Sequence, residues 1–219
     1  MRIQETKVYT YDELSDEAKE KARDWYRDGA LDYDWWDGLY EDFAQRAEEL
    51  GIDLRKNPFT LRNEPEINFS GFYCQGSGSS FAGTWSADKI QGDKLREECP
   101  TETELHRILS ELESIAKEDP GMSATINTGG DNWINIEVCD GEEASERLNE
   151  LEYESGEYKN LSKTYRERED DLIQTLRDFN HWIYQGLQKE YEWLNADEQV
   201  EESIRANKYE FTEDGNIHL

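Results

Sequence analysis

Carboxylates recur at three- and four-residue steps along this chain. Glu13, Glu17, Glu20, Asp24 and Asp28 form one series, Asp34, Asp37 and Glu41 a second, and Glu142, Glu143, Glu146 and Glu150 a third. On a helix, residues so spaced have Cβ atoms about 5–6 Å apart, so each series makes a row of negative charge. The chemistry open to such a row is electrostatic. Duplex DNA is also a regular array of negative charge, and proteins that bind it do so through Lys and Arg grooves with release of counterions. A folded acidic face can occupy such a groove in place of DNA. Tyr33 lies between the first two rows and Trp35 within the second, and aromatic side chains are the ones that anchor interfaces while charges steer the encounter.

Other constellations carry less. The segment Gln75-Gly-Ser-Gly-Ser-Ser80 offers backbone N–H groups that could cradle an anion, with Trp85 and Trp133 as neighbours for a small ligand. It matches neither phosphate-loop pattern, no Lys follows it, and Gly and Ser equally serve a hairpin connection. The run Asp32-Tyr-Asp34-Trp-Trp-Asp37-Gly38 has the flavour of a calcium loop, but the fifth position is Trp36 and the twelfth Phe43, where oxygen ligands are needed. His106, His181 and His218 lack metal-ligand spacing, and Cys74, Cys99 and Cys139 read as small core fillers and reduced thiols. There is no G-x-S-x-G elbow. With 52 Asp and Glu, some pair always lies close, so proximity alone says nothing of acid–base catalysis. No catalytic residue, metal site or cofactor is therefore expected.

Helices and strands must position these groups. A strand over Thr6–Tyr11 leads to a helix capped by Asp12 or Ser15 and running to about Gly29, with Leu14, Ala18, Ala22, Trp25 and Tyr26 on its inner face. A second helix starts near Asp34, where that carboxylate caps it, and stops at Gly51. The period then changes to two, with strands at 52–54, 66–69 and 81–85. Thr101-Glu-Thr-Glu104 spells a capping box for a helix with Leu105, Ile108, Leu109, Leu112 and Ile115 inward. A hairpin over 123–138 follows, then an acidic solvated stretch at 137–157. The strongest periodicity runs from Leu161 to Leu194 and predicts one helix of roughly 50 Å. A short helix with Val200 and Ile204, then Lys208–Phe211 and a turn at Asp214-Gly215, complete the chain.

Composition bounds the answer. The 219 residues carry 24 Lys and Arg against the 52 acids, a net charge of −28, with 35% hydrophobic and 12% aromatic residues. Such charge suggests disorder, but disordered acidic chains are poor in aromatics, so the sequence reads as a folded domain with an aromatic-rich interior. No apolar run of about 20 residues is present to cross a membrane. The expected fold is α+β: one domain over 1–219, a small, mostly antiparallel sheet covered by helices, and a long C-terminal helix.

Two stretches, Tyr11-Asp-Glu-Leu-Ser-Asp-Glu-Ala-Lys-Glu-Lys-Ala-Arg-Asp-Trp-Tyr26 and Ile67-Asn-Phe-Ser-Gly-Phe-Tyr-Cys-Gln-Gly-Ser-Gly-Ser-Ser-Phe-Ala-Gly83, resemble an uncharacterised family carried by tailed bacteriophages and prophages. The ending Ala206-Asn-Lys-Tyr-Glu-Phe-Thr-Glu-Asp-Gly215 is similar too. Cys74 and Ser77 stand where the family more often has Ser and Asp. The resemblance implies a phage setting, in the host cytoplasm, and no catalytic residues.

Together these features predict a non-enzymatic inhibitor of host defence. It would block a basic, nucleic-acid-binding host protein with Glu17, Asp24, Asp28, Tyr33, Asp34, Trp35, Asp37, Glu142, Glu143, Glu146 and Glu150. Direct contact with nucleic acid or membrane is opposed by the sign of the charge. Two alternatives stand beside it: an antitoxin-like or sequestering partner that uses the long helix, which could also mediate a homodimer, and a ligand-binding protein or enzyme built on the loop 75–80. High charge can also serve solubility alone.

Overall fold

A computed structural model describes residues 7–58, 64–139, 141–151, 153 and 155–218. The fold is α+β, as expected, and among the described residues its antiparallel strands divide among three sheets instead of one. The chain forms two compact units, residues 1–37 with 187–219, and residues 38–186.

The first unit joins the two ends of the chain. Strand β1 (Tyr9–Thr10) pairs with β8 (Glu210–Phe211), which pairs with β9 (Ile217–His218). Thr6, the start of the expected first strand, lies outside the described residues. Between β1 and helix α1 (Asp16–Ala30), a 3-10 turn at Tyr11–Glu13 is closed when the Glu13 carboxylate accepts from the Thr10 N–H and hydroxyl, both at 2.8 Å. Ser15 then caps α1, its Oγ accepting from the Ala18 N–H at 3.3 Å. Leu14, Ala18 and Ala22 pack with Tyr11, Phe211 and, from helix α7 (Asp197–Ala206), Val200 and Ile204. The β8–β9 turn passes so close to α1 that a Cβ on Gly215 (φ +82°) would meet the Ala18 carbonyl oxygen at 2.1 Å, so only glycine fits.

The second unit is larger and drier. Strands β2 (Ile52–Leu54), β5 (Gly83–Ser86), β6 (Ser123–Thr128) and β7 (Ile134–Cys139) form one sheet in that order, with Ile52 opposite Trp85 and Trp85 opposite Ala124. Strands β3 (Ile67–Phe69) and β4 (Ser79–Phe81) make a separate hairpin. Helices α2 (Asp37–Glu49), α3 (Gly92–Glu98), α4 (Thr103–Glu118) and α5 (Glu142–Asn149) belong here, α2 after its first residue, as does helix α6 (Gly156–Asn195) as far as Gly186. The apolar positions of α4 and α6 are fully enclosed: Leu105, Ile108, Leu109 and Leu112 on one, Leu172, Leu176, Phe179 and Ile183 on the other. Each such side chain contributes about 1.5–3 kcal/mol relative to exposure.

Several local expectations need correction. Helix α4 is capped at Glu102, because Glu102 N–H already bonds to Cys99 C=O and places Thr101 inside a turn, so the Thr101–Glu104 box does not form. Likewise α2 starts three residues after Asp34, whose carbonyl accepts from the Asp37 N–H at 3.3 Å, in place of a side-chain cap at Asp34. Cys74 and Cys139 are exposed instead of filling a core. Helix α3 was not signalled by periodicity.

Candidate partner-binding surface

Helix α1 presents the first carboxylate row. Glu17, Glu20, Asp24 and Asp28 are all exposed and recur along one side, opposite Ala18 and Ala22. Glu13 leaves the row, since its side chain folds back onto Thr10, which holds that carboxyl below its ordinary pKa. From Glu17 to Asp28 the helix rises about 17 Å, over which a single DNA strand would place about five phosphates; the helix has four carboxylates there, with the exposed Lys21 among them.

Three arginines of this unit are engaged with other groups, and the exposed Lys21 shares helix α1 with the row. Arg23 is drawn inward, donating to Tyr11 Oη at 2.9 Å and to Glu201 at 3.1 Å. Arg27 bonds to Asp197 and to the Asn195 carbonyl, and reaches Asp24 at 3.2 Å. Arg205 pairs with Asp12 at 2.9 Å and Glu201 at 3.1 Å. Burial would raise the Glu201 carboxyl, but the Tyr11 hydroxyl and Arg205 outweigh it and hold it below the ordinary carboxylate value. Burial conversely pushes the Tyr11 phenol up. With three arginines so engaged, Glu17, Glu20 and Asp28 make no ion pair among the described residues.

The remaining predicted residues fall in several places. Tyr33 is 57% exposed and Asp34 is exposed, both in the segment after α1. Trp35 is only half exposed, because its ring packs on Trp36 at 5.4 Å and Tyr191 at 6.1 Å, and Asp37 is likewise half-buried. These two residues are therefore structural as well as available at an edge. Glu146 and Glu150 are exposed on and just after α5, in the second unit; Glu142 and Glu143 lie on α5, and their side chains are outside the description. The structure thus brings Glu17, Asp24 and Asp28 onto one face and places the α5 carboxylates in the other unit.

The loop 75–80 is tied down by hydrogen bonds. Ser79 and Ser80 belong to β4, Ser79 Oγ donates to the Asn180 carbonyl at 2.8 Å, Ser80 Oγ donates to the Gly130 carbonyl at 2.6 Å, and Asn132 donates to the Gly76 carbonyl at 2.5 Å. Trp85 is wholly enclosed, its indole N–H donating to the Leu50 carbonyl at 3.1 Å, whereas Trp133 is 54% exposed. A cleft of about 800 Å3 in the same unit is lined by Glu48, Asp53, Lys56, Asp88 and Lys89 beside the edge strand β2. Its lining carries charges of both signs. Among the described residues no group of three or more His, Cys, Asp and Glu could hold a metal ion, and no helix is long and apolar enough to cross a membrane.

A family profile described as "Domain of unknown function (DUF8835)" matches residues 35–197. The chain belongs to that family. No curated protein and no solved structure matches it. The DUF8835 match takes in the stretch Ile67–Gly83 and the α5 carboxylates, while helix α1, with its carboxylate row, precedes it.

What sequence reasoning missed is the company these groups keep. Tyr11 and Glu201 stand 190 positions apart and nothing in either stretch names the other. The signal that could have hinted at it is the set of arginines at 23, 27 and 205, each on the flank of an amphipathic helix.

Proposed function

We propose that this protein is a non-enzymatic, phage-encoded binder that presents the acidic face of α1 to a basic surface on a host nucleic-acid-binding protein, defence proteins being the favoured class, and blocks it in the host cytoplasm. The observation that carries this reading is the exposed run Glu17, Glu20, Asp24 and Asp28, three of whose carboxylates have no ion-pair partner among the described residues. The phage setting rests on the resemblance of Tyr11–Tyr26 and Ile67–Gly83. Carboxylates act collectively here: they raise the encounter rate with a basic groove, and the exposed Tyr33 supplies apolar contact.

The antitoxin-like alternative draws less support, since the stripe Leu172–Leu187 of α6 is already buried in the chain's own core.

The test is capture of partners from bacterial lysate by the tagged protein at 0.1 M and 0.5 M salt, with nuclease present. The Debye length shrinks from about 10 Å at 0.1 M, so a charge-held complex weakens steeply. The expected partner binds nucleic acid, is held only at low salt, is displaced by added duplex DNA, and is lost on the triple reversal E17K, E20K and D28K. A salt-resistant partner indifferent to that reversal overturns the proposal.

A further inference from the structure

Behind the α1 row, three rings meet at a corner that the acidic-surface reading does not use. Trp25 and Tyr26 leave α1 side by side, their centroids 6.3 Å apart and their planes inclined at 65°. Tyr209, at the exit from α7, stands edge-on to Trp25 at 5.2 Å and 84°, and tilted to Tyr26 at 6.3 Å. All three are half-buried and pack against the unit's core from outside. They bound a cleft of about 470 Å3, completed by Asp28 and Gly29. Nothing lies within 4 Å of where a Cβ on Gly29 would be, so that side of the cleft is open.

Two further observations point to a ligand. Asp28 sits on the cleft and makes no ion pair or hydrogen bond among the described residues, while Asp24, one turn earlier, pairs with Arg27. The cations known to lie over rings in this unit sit elsewhere: Lys19 and Arg205 both lie over Tyr11, at 5.8 Å and 5.1 Å. Moreover, Tyr209 is aimed by strain. Lys208 takes φ +55°, a left-handed conformation in which its N–H bonds to the Arg205 carbonyl and the Tyr209 N–H to that of Ile204. Glycine usually fills that capping position; a lysine there tolerates a disfavoured backbone, and the turn delivers the Tyr209 ring to the corner.

Ring faces attract cations through their quadrupoles, and several rings with one carboxylate form the recurring recognition unit for alkylated ammonium groups. With centroids 5.2–6.3 Å apart, and Trp25 also edge-on to Phe211 at 5.8 Å, no group fits between the rings, but all three line the cleft that a group would enter. We propose that Trp25, Tyr26, Tyr209 and Asp28 form a binding site for an organic ammonium cation. The cleft is several times larger than one ammonium head and open at Gly29, which suits the end of a lysine side chain on a polypeptide. A free quaternary amine offers the same chemistry. The site depends on the proposed function only for the lysine source.

The experiment follows the indole N–H resonances of the 15N-labelled full chain during titration with tetramethylammonium, with choline, with a short lysine-containing peptide and its trimethyl-lysine form, and with 3,3-dimethylbutanol, the neutral shape-mimic of choline. The Trp25 signal is assigned through Trp25→Phe. The expected result is a saturable shift at Trp25 with the cations and none with the alcohol, at least threefold weaker in Asp28→Asn and absent in Tyr209→Leu, whose other resonances report that the fold persists. The tighter of peptide and choline names the source. Equal response to the alcohol, no response to any cation, or full affinity in Asp28→Asn overturns the site. A chain that lacks this response yet captures its partner at low salt refutes the cation site alone; a chain that binds cations but captures nothing refutes the proposed function alone.

Discussion

The two units solve the problem of a charge of −28 differently, although their balance of charge is alike. The unit made of the chain ends has 20 Asp and Glu against 9 Lys and Arg; the other has 32 against 15 in about twice the length. The ratio of acid to base is therefore nearly the same, and composition cannot explain how they differ. The central unit is held by apolar stripes that close over one another, with Phe81 against Phe179 at 5.6 Å and Phe43 against Trp182 at 5.4 Å. Its charges form bridges around that core, as where Arg107 joins Glu104 and Glu111 on α4 to Asp178 on α6 at 2.6–2.7 Å. The terminal unit has a core of few large residues and is stitched by a polar network centred on Tyr11. Its arginines serve that network, and α1 is left with an acidic face.

This contrast predicts that the central unit breaks by cavity formation and the terminal unit by loss of a hydrogen bond. Leu176→Ala, at a position with no exposed surface, should cost about 3 kcal/mol in urea unfolding, through lost burial and the cavity left behind, with little dependence on salt. A cost below about 1 kcal/mol would mean that α6 is not packed as described.

Tyr11→Phe should cost less, about 1–2 kcal/mol, because it removes the hydroxyl that joins Arg23 and Glu201 while keeping the buried ring. Its signature is in acid. The Glu201 carboxyl is held below its ordinary value of 4.5, so the stability it contributes is fully present above that pH and is lost as pH falls through the depressed value. In Glu201→Gln that part of the acid limb should disappear from a melting-temperature profile taken downward from the ordinary carboxylate value of 4.5. A profile parallel to that of the parent chain would remove the network as the stabilising device.

These differences also decide what could be read from the sequence. The α6 stripe was legible because Leu172, Leu176, Phe179 and Ile183 repeat at helical spacing within one segment, and periodicity is local. The hairpin of β6 and β7 was legible for the same reason, with Gly129 and Gly130 marking its turn. The terminal unit was not, because its pairings join residues at opposite ends of the chain: Tyr9 opposite Phe211, Tyr11 with Glu201, and Trp25 with Tyr209. Of the candidate surface, the α1 row was visible as spacing. That Glu13 leaves it, and that Trp35 packs into an aromatic group with Tyr191, depends on local turns and distant partners that no spacing rule contains.

Ser15→Ala tests the terminal unit at a single bond. Its Oγ satisfies the Ala18 N–H at the start of α1, and the loss should be about 1 kcal/mol, seen as earlier fraying of α1 in amide exchange. Unchanged protection at Ala18 would show that water replaces the cap without loss.

The smallest effect on stability belongs to the residues given the largest role in binding. Glu17, Glu20 and Asp28 are exposed and make no ion pair among the described residues, so the reversal E17K, E20K and D28K removes no contact that holds the fold. Each change should stay within about 0.5 kcal/mol, and their sum should lean toward stabilisation, since six units of negative charge are relieved in a chain that repels itself. Added salt should narrow the gap between parent and variant by screening the same repulsion. A loss of several kcal/mol would instead place these carboxylates in the architecture, as Glu201 is, and would end the contrast between a network that holds α1 and a face that α1 leaves to solvent. Stability held constant while partner capture falls is the pattern that separates the two.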